Sequence, residues 1–88
     1  MKYRKHPEWL EAGVNEEMLM MHAESGKFIS LNETGTYLWS RMDKARGEQE
    51  LAADLHHEFE VDEAQARADV ANWIEQMEEH DVIEPVGD

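Results

Sequence analysis

The spacing of apolar residues changes character near residue 32. Before that point the apolar positions fall in short runs separated by turn signals. Residues 10–14 form a short candidate strand, and Asn15-Glu16 a plausible turn. Residues 17–22 are apolar at their centre (Met18, Leu19, Met20, Met21) and read as a second strand, although this run also suits a helix. Glu24-Ser25-Gly26 reads as a three-residue turn, with glycine where a positive φ is expected. Lys27, Phe28, Ile29, Ser30 and Leu31 make a third strand, antiparallel to the second.

After residue 32 the spacing becomes helical. Asn32 is a suitable N-cap, and Glu33 suits the positive end of a helix dipole. Tyr37, Leu38 and Met42 follow at near-helical spacing with Trp39 beside them, and Arg41, Lys44 and Arg46 are expected near the helix end. Gly47 breaks the pattern. A second helix is predicted over residues 48–59, burying Leu51, Leu55 and Phe59. Asp62 would cap a third helix, with Gln65 completing a capping box. Its stripe is Ala66, Val70, Trp73, Ile74 and Met77, and Val82-Ile83 would fold back onto the core. The expected class is α+β: a three-stranded antiparallel sheet followed by three helices, like a winged helix-turn-helix. Pro7 and Pro85 bracket one domain over residues 1–88 with an ordered core at about 9–83. Residues 1–6 and 86–88 are expected to be loose.

Charge settles the question this architecture raises. The chain carries 21 Asp and Glu against 8 Lys and Arg, a formal net charge of −13, which repels nucleic acid and anionic membrane surfaces. In a DNA-binding helix-turn-helix the last helix enters the major groove. Here residues 62–81 hold seven carboxylates and only Arg67, and no Lys or Arg follows. Nucleic acid is therefore excluded as a partner. Plain solubility also accounts for such acidity. Cysteine is absent, so disulfides, thiolate metal sites and thiol nucleophiles are excluded. No signal peptide or membrane-length apolar run is present, so a soluble cytoplasmic protein is expected.

No catalytic set emerges. His56 and His57 are adjacent on a helix and diverge by about 100°, while His6, His22 and His80 are scattered. Surface histidine is the simpler reading, and no metal or cofactor is expected. Glu16-Glu17 and Glu78-Glu79 read as a solvated acidic face, since an acid–base pair needs a pocket that perturbs its pKa values. Gly35 falls in the first turn of a helix, where a bare Cα lets another element approach.

Two positions leave an alternative open. Trp73 and Ile74 point about 100° apart, so one fills the core while the other sits at its edge. Phe28 and Ile29 face opposite sides of a strand. An open strand edge beside an apolar helix face makes a groove for an extended peptide. Trp73 is thus either core or an anchor for that peptide.

The segment Gly26-Lys27-Phe28-Ile29-Ser30-Leu31-Asn32-Glu33-Thr34-Gly35-Thr36-Tyr37-Leu38-Trp39 resembles the PqqD-like family, also called RiPP recognition elements. Glu50-Leu51-Ala52, Phe59-Glu60-Val61-Asp62 and Val82-Ile83-Glu84 extend the likeness over nearly the whole chain. The resemblance implies a non-catalytic adaptor for the leader segment of a ribosomally synthesised precursor peptide. The leader would add as a strand to the third strand and lie against the third helix. Carried over, the backbone of residues 27–31 would pair with the leader, Val70, Trp73 and Met77 would line the apolar side, and Asp69 and Gln76 would form the rim. The Leu-Asn-Glu-Thr-Gly segment looks most like free-standing members of lasso-peptide clusters. The implied partners are a precursor leader peptide and a leader peptidase, or a radical-SAM or other modifying enzyme. The protein would be a monomer or an edge-paired dimer. The competing reading is an acidic interaction or regulatory module, such as a nucleic-acid mimic.

Overall fold

The junction at Leu31–Asn32 turns strand into helix. Asn32 is extended (ψ −178°), and its side chain accepts the Gly35 N–H at 2.8 Å. Its carbonyl accepts the Thr36 N–H at 2.8 Å, so the first helical turn closes directly after the strand. In this computed structural model, which describes residues 2–14 and 17–87, the class is α+β, with three helices and antiparallel sheets among the described residues.

Strands β1 (Lys2–Lys5), β2 (Trp9–Val14), β3 (Glu17–His22) and β4 (Phe28–Leu31) come first. Helix α1 (Glu33–Ser40), strand β5 (Arg46–Gly47), helices α2 (Glu48–Phe59) and α3 (Glu63–Glu79), and strand β6 (Ile83–Val86) follow. Strands β2, β3 and β4 form one meander, and β5-β1-β6 a second sheet. Met18–Met21 is strand, not helix. The proposed turn at Asn15-Glu16 lies outside the described residues.

Three strands were therefore missed, and the expectation of loose ends is corrected for residues 2–5 and 86. Lys2–Lys5 pairs with all four residues of β6 and with both of β5. Its sequence, KYRK, has no apolar period to reveal a strand, because backbone pairing to distant segments creates it. Pro85 is accommodated because β6 lies at an edge, where a missing donor interrupts no ladder.

The helices carry smaller corrections. Helix α1 stops at Ser40 with Arg41 as its C-cap, so Lys44 and Arg46 lie beyond it. Arg46 instead pairs with Asp54, and with Glu50 at 3.6 Å. The Asp62–Gln65 capping box does not form. Asp62 accepts from the Ala64 N–H at 3.4 Å, but the Gln65 amide turns to Asp69 at 2.8 Å. Half of such a box forms on α2, where the Gly47 N–H donates to the Glu50 carboxylate at 3.0 Å.

Helix α3 ends in a Schellman motif. The Val82 N–H donates to the Met77 carbonyl (2.8 Å) and the Asp81 N–H to the Glu78 carbonyl (3.1 Å). Asp81 takes the left-handed position usually given to glycine (φ 59°). This turn sends Val82 and Ile83 back into the core, as expected, and presents the Asp81 carbonyl to the Trp9 indole N–H at 3.0 Å. The core joins Leu38, Trp39 and Met42 to Leu51 and Leu55 of α2, the α3 stripe, and Met20 and Leu31 of the meander. Phe59 is only half-buried, edge-on to Tyr37 at 5.4 Å between ring centroids.

Deleting Lys2–Lys5 should remove at least about 2 kcal/mol of stability, since several ladder hydrogen bonds worth roughly 0.5–1.5 kcal/mol each are lost. Urea denaturation of the truncated chain checks this. An unchanged midpoint would show that β1 contributes nothing.

Candidate functional site: an open strand edge beside a helix

Strand β4 borders β3 on one side, and no described residue pairs with the other. The register decides which of its backbone groups are free. The His22 N–H donates to the Lys27 carbonyl at 2.8 Å, making His22 and Lys27 a hydrogen-bonded pair. Such pairs alternate along an antiparallel ladder. Met20↔Ile29 and Met18↔Leu31 are therefore bonded pairs, while Met21↔Phe28 and Leu19↔Ser30 are not. Phe28 and Ser30 thus turn their N–H and C=O groups outward, and Ile29 and Leu31 turn theirs to β3. Of the five residues 27–31, two carry the free edge: two donors and two acceptors, enough for a short extended segment.

Side chains follow the strand's two faces. Leu31 is buried and Ile29 half-buried on the core side, while Lys27, Phe28 and Ser30 are exposed. A cavity of about 350 Å³ lies at the start of β4, between Lys27, Phe28 and Ile29 and the end of α3 at Glu79, His80 and Asp81. Trp9 forms its floor, held there by the Schellman turn. A second cavity of about 270 Å³ opens past the other end of β4, between Asn32, Thr34 and Gly35 and the α3 residues Asp69, Trp73 and Gln76. Both cavities lie against α3, one beyond each end of β4.

The structure sorts the expected site residues. Asp69, Trp73 and Gln76 line the second cavity; Lys27, Phe28 and Ile29 line the first. Val70 and Met77 are enclosed in the core and line neither. The α3 stripe mixes these two roles because burial depends on which residues the neighbouring elements cover, and periodicity does not report that. Asn72, Glu79, His80, Asp81 and Trp9 were not singled out. The charged ones carried no apolar signal, and Trp9 is remote in sequence.

Trp73 is half-buried, and its Nε1–H has no partner among the described residues. A Cβ built on Gly35 would stand 3.2 Å from that nitrogen and 3.3 Å from the Asn32 Oδ1. Gly35 therefore allows the indole to lie over the first turn of α1, the close approach its position suggested. The polar cluster elsewhere is structural. Tyr37 donates to the Asp54 carbonyl at 3.3 Å, and burial, then the Asp54 charge, raises its phenol pKa, keeping it a neutral donor. Among the described residues no three His, Asp or Glu side chains are placed to hold a metal, and no helix is long and apolar enough to cross a membrane.

With this geometry in view, comparison with known proteins places the chain. Residues 17–83 match the family described as Coenzyme PQQ synthesis protein D (PqqD), and the chain belongs to that family. Two solved structures superpose over nearly its full length. One, described as lasso peptide synthetase B1 complexed with the leader peptide, is 25% identical with a TM-score of 0.83, covering 97% of this chain and 100% of that one. The other, TbiB1 in complex with the TbiA(beta) leader peptide, is 18% identical with a TM-score of 0.84, covering 97% and 99%. No match was found among curated proteins.

The register makes a sharp distinction between neighbours. Ser30→Pro should stay folded, since the Ser30 N–H takes no part in the β3 ladder. Ile29→Pro should lose about 1–3 kcal/mol, because it removes a ladder donor and leaves the Met20 carbonyl unpaired. Circular dichroism with urea titration compares them. Equal losses would mean the register is misassigned.

Proposed function

We propose that this chain is a non-catalytic adaptor that captures the leader segment of a ribosomally synthesised precursor peptide and delivers it to a maturation enzyme. The observation that carries the reading is the outward-facing backbone of Phe28 and Ser30 on an unpaired edge beside α3. The leader-bound neighbours, above all the 25% identical one, support a guest of this kind.

The guest adds as a fourth strand of the meander, and its main chain meets two donors and two acceptors. Each new hydrogen bond contributes roughly 0.5–1.5 kcal/mol net, so the edge alone gives register and modest affinity. Selectivity then falls to side chains entering the two end cavities. In the first, the guest meets Phe28 and Ile29 beside the carboxylates of Glu79 and Asp81. In the second, it meets the Trp73 ring and the polar groups of Asp69 and Gln76. The adaptor brings no reacting group. Its contribution is to raise the local concentration of the precursor at a leader peptidase, a radical-SAM enzyme or another modifying enzyme in the cytoplasm. Without a guest the same edge can pair with a second copy, so monomer and edge-paired dimer compete.

A synthetic leader of the precursor encoded beside this chain is the natural titrant. Its addition should shift the backbone amide signals of Phe28 and Ser30 more than that of Ile29. Ser30→Pro should lower affinity about tenfold or more while leaving the fold intact, and Trp73→Ala should cost about 1–3 kcal/mol of binding. A folded Ser30→Pro protein with wild-type affinity would refute strand addition. Unchanged affinity in folded Trp73→Ala would remove the indole as an anchor.

A further inference from the structure

The meander has a second free edge, on β2. The Ala23 N–H donates to the Glu8 carbonyl at 2.8 Å, one step beyond the Trp9↔His22 pair. Bonded pairs alternate along an antiparallel ladder, so Leu10↔Met21, Ala12↔Leu19 and Val14↔Glu17 are bonded pairs. Trp9, Glu11 and Gly13 therefore turn their backbone groups away from β3. The Trp9 N–H is taken up by the His6 carbonyl at 3.4 Å. Glu11 and Gly13 remain, with two donors and two acceptors, the same number that β4 offers. No described residue pairs with them, and Glu11 and Ala12 are exposed. The β6 edge of the other sheet differs. There the His6 N–H donates to the Val82 carbonyl at 2.9 Å, so Arg4↔Glu84 and Lys2↔Val86 are bonded pairs. Ile83 and Pro85 face outward, and Pro85 has no N–H to offer an incoming strand. The six residues of β2 include no proline, so its outward donors are intact.

Charge decides what fits there. Residues 6–26 contain five glutamates and no Lys or Arg. Glu11 is the one charged residue of β2, and its Oε1 accepts the Trp39 indole N–H at 2.7 Å. This bond fixes the carboxylate beside the edge and engages Oε1 alone, so Oε2 can accept from a cation. Residues directly opposite one another on paired strands come within reach. A Lys or Arg opposite Glu11 is attracted, and a carboxylate is repelled. Two copies paired along this edge would each bring a formal −13, which opposes them. Positions opposite Leu10 and Ala12 fall on the other face of the added strand, beside a Leu10 side chain that is 52% exposed, and suit apolar residues.

We propose that β2 is a second strand-addition site, and that it takes an extended segment of a partner protein in which Lys or Arg alternates with apolar residues. This goes beyond capture of a guest at β4. Strand β3 separates the two edges by about 10 Å, and they open on opposite sides of the meander. Both are filled at once, and the sheet grows from three strands to five. Backbone groups of Glu11 and Gly13 set the register of the added segment, and the Glu11 carboxylate selects its charge. Because the attraction is between exposed charges, added salt weakens it.

The test titrates the full-length protein with a short synthetic peptide of alternating Lys and Val, capped at both ends, and follows backbone amide signals by NMR. Those of Glu11 and Gly13 should shift more than those of Leu10 and Ala12, and the shifts should persist when a synthetic leader is present. Gly13→Pro removes an outward donor that the β3 ladder does not use, so it should weaken the probe about tenfold or more. Glu11→Gln keeps the backbone and an acceptor for the Trp39 indole, so it covers the case in which proline disturbs the hairpin. It should weaken the probe about threefold or more and abolish the preference over a Glu-Val peptide of the same length. Absence of shifts at Glu11 and Gly13, or shifts confined to Phe28 and Ser30, would overturn the inference. So would equal binding of the Glu-Val peptide, or a folded Gly13→Pro protein that holds the probe as wild type does. Self-association of the unliganded protein that Gly13→Pro abolishes would give the edge to a second copy and overturn it as well. The readout at β2 is separate from leader capture, so a leader that fails to bind while the Lys-Val probe shifts Glu11 and Gly13 would refute the reading of β4 and uphold this one.

Discussion

The proposed function rests on one asymmetry in hydrogen bonding. Strand β4 is satisfied by β3 along one side and paired with no described residue along the other. Solvent meets those outward groups at little cost, so the free protein tolerates the open edge. The same groups remain available to any chain segment that can lie straight beside them. Long open edges invite aggregation. This one is short, four residues with two outward positions, and it stands on a strongly acidic molecule. Brevity and charge together keep it open yet selective.

The rest of the structure holds that edge in place. Asn32 ends β4 and starts α1 within one residue, so the edge cannot lengthen or slip. The Schellman turn after α3 fixes the far wall and, through the Trp9 indole, ties it to β2 of the same meander. Gly35 admits the Trp73 ring over α1. The second sheet, β5-β1-β6, fastens both chain ends to the stretch between α1 and α2. Each device is local, and together they give a guest two rigid walls.

Acidity has a different reading once the fold is known. On α3, Asp69 and Glu79 line the two cavities beside β4, where under the proposed function they would repel nucleic acid while leaving a basic or neutral peptide free to enter. Under the proposed function the last helix serves peptide capture, since it carries the opposite charge from a DNA reader.

The sequence alone determined α2 and α3 nearly to the residue, the start of α1, and the β2-β3-β4 meander. Those features rest on local periodicity, caps and turns, which neighbours in the chain encode. It also marked Trp73 and Gly35 as unusual. Tertiary structure alone decided the rest. The strands β1, β5 and β6 exist because distant backbone segments pair, and polar KYRK carries no trace of that. Only the register shows that Phe28 and Ser30, not Ile29, present free hydrogen-bonding groups. Only packing shows that Val70 and Met77 are enclosed while Trp73 faces the groove. The physical reason is common to all three: an amino acid encodes its own preference for a period or a turn, but which of its groups stay unsatisfied depends on what the rest of the chain brings beside it.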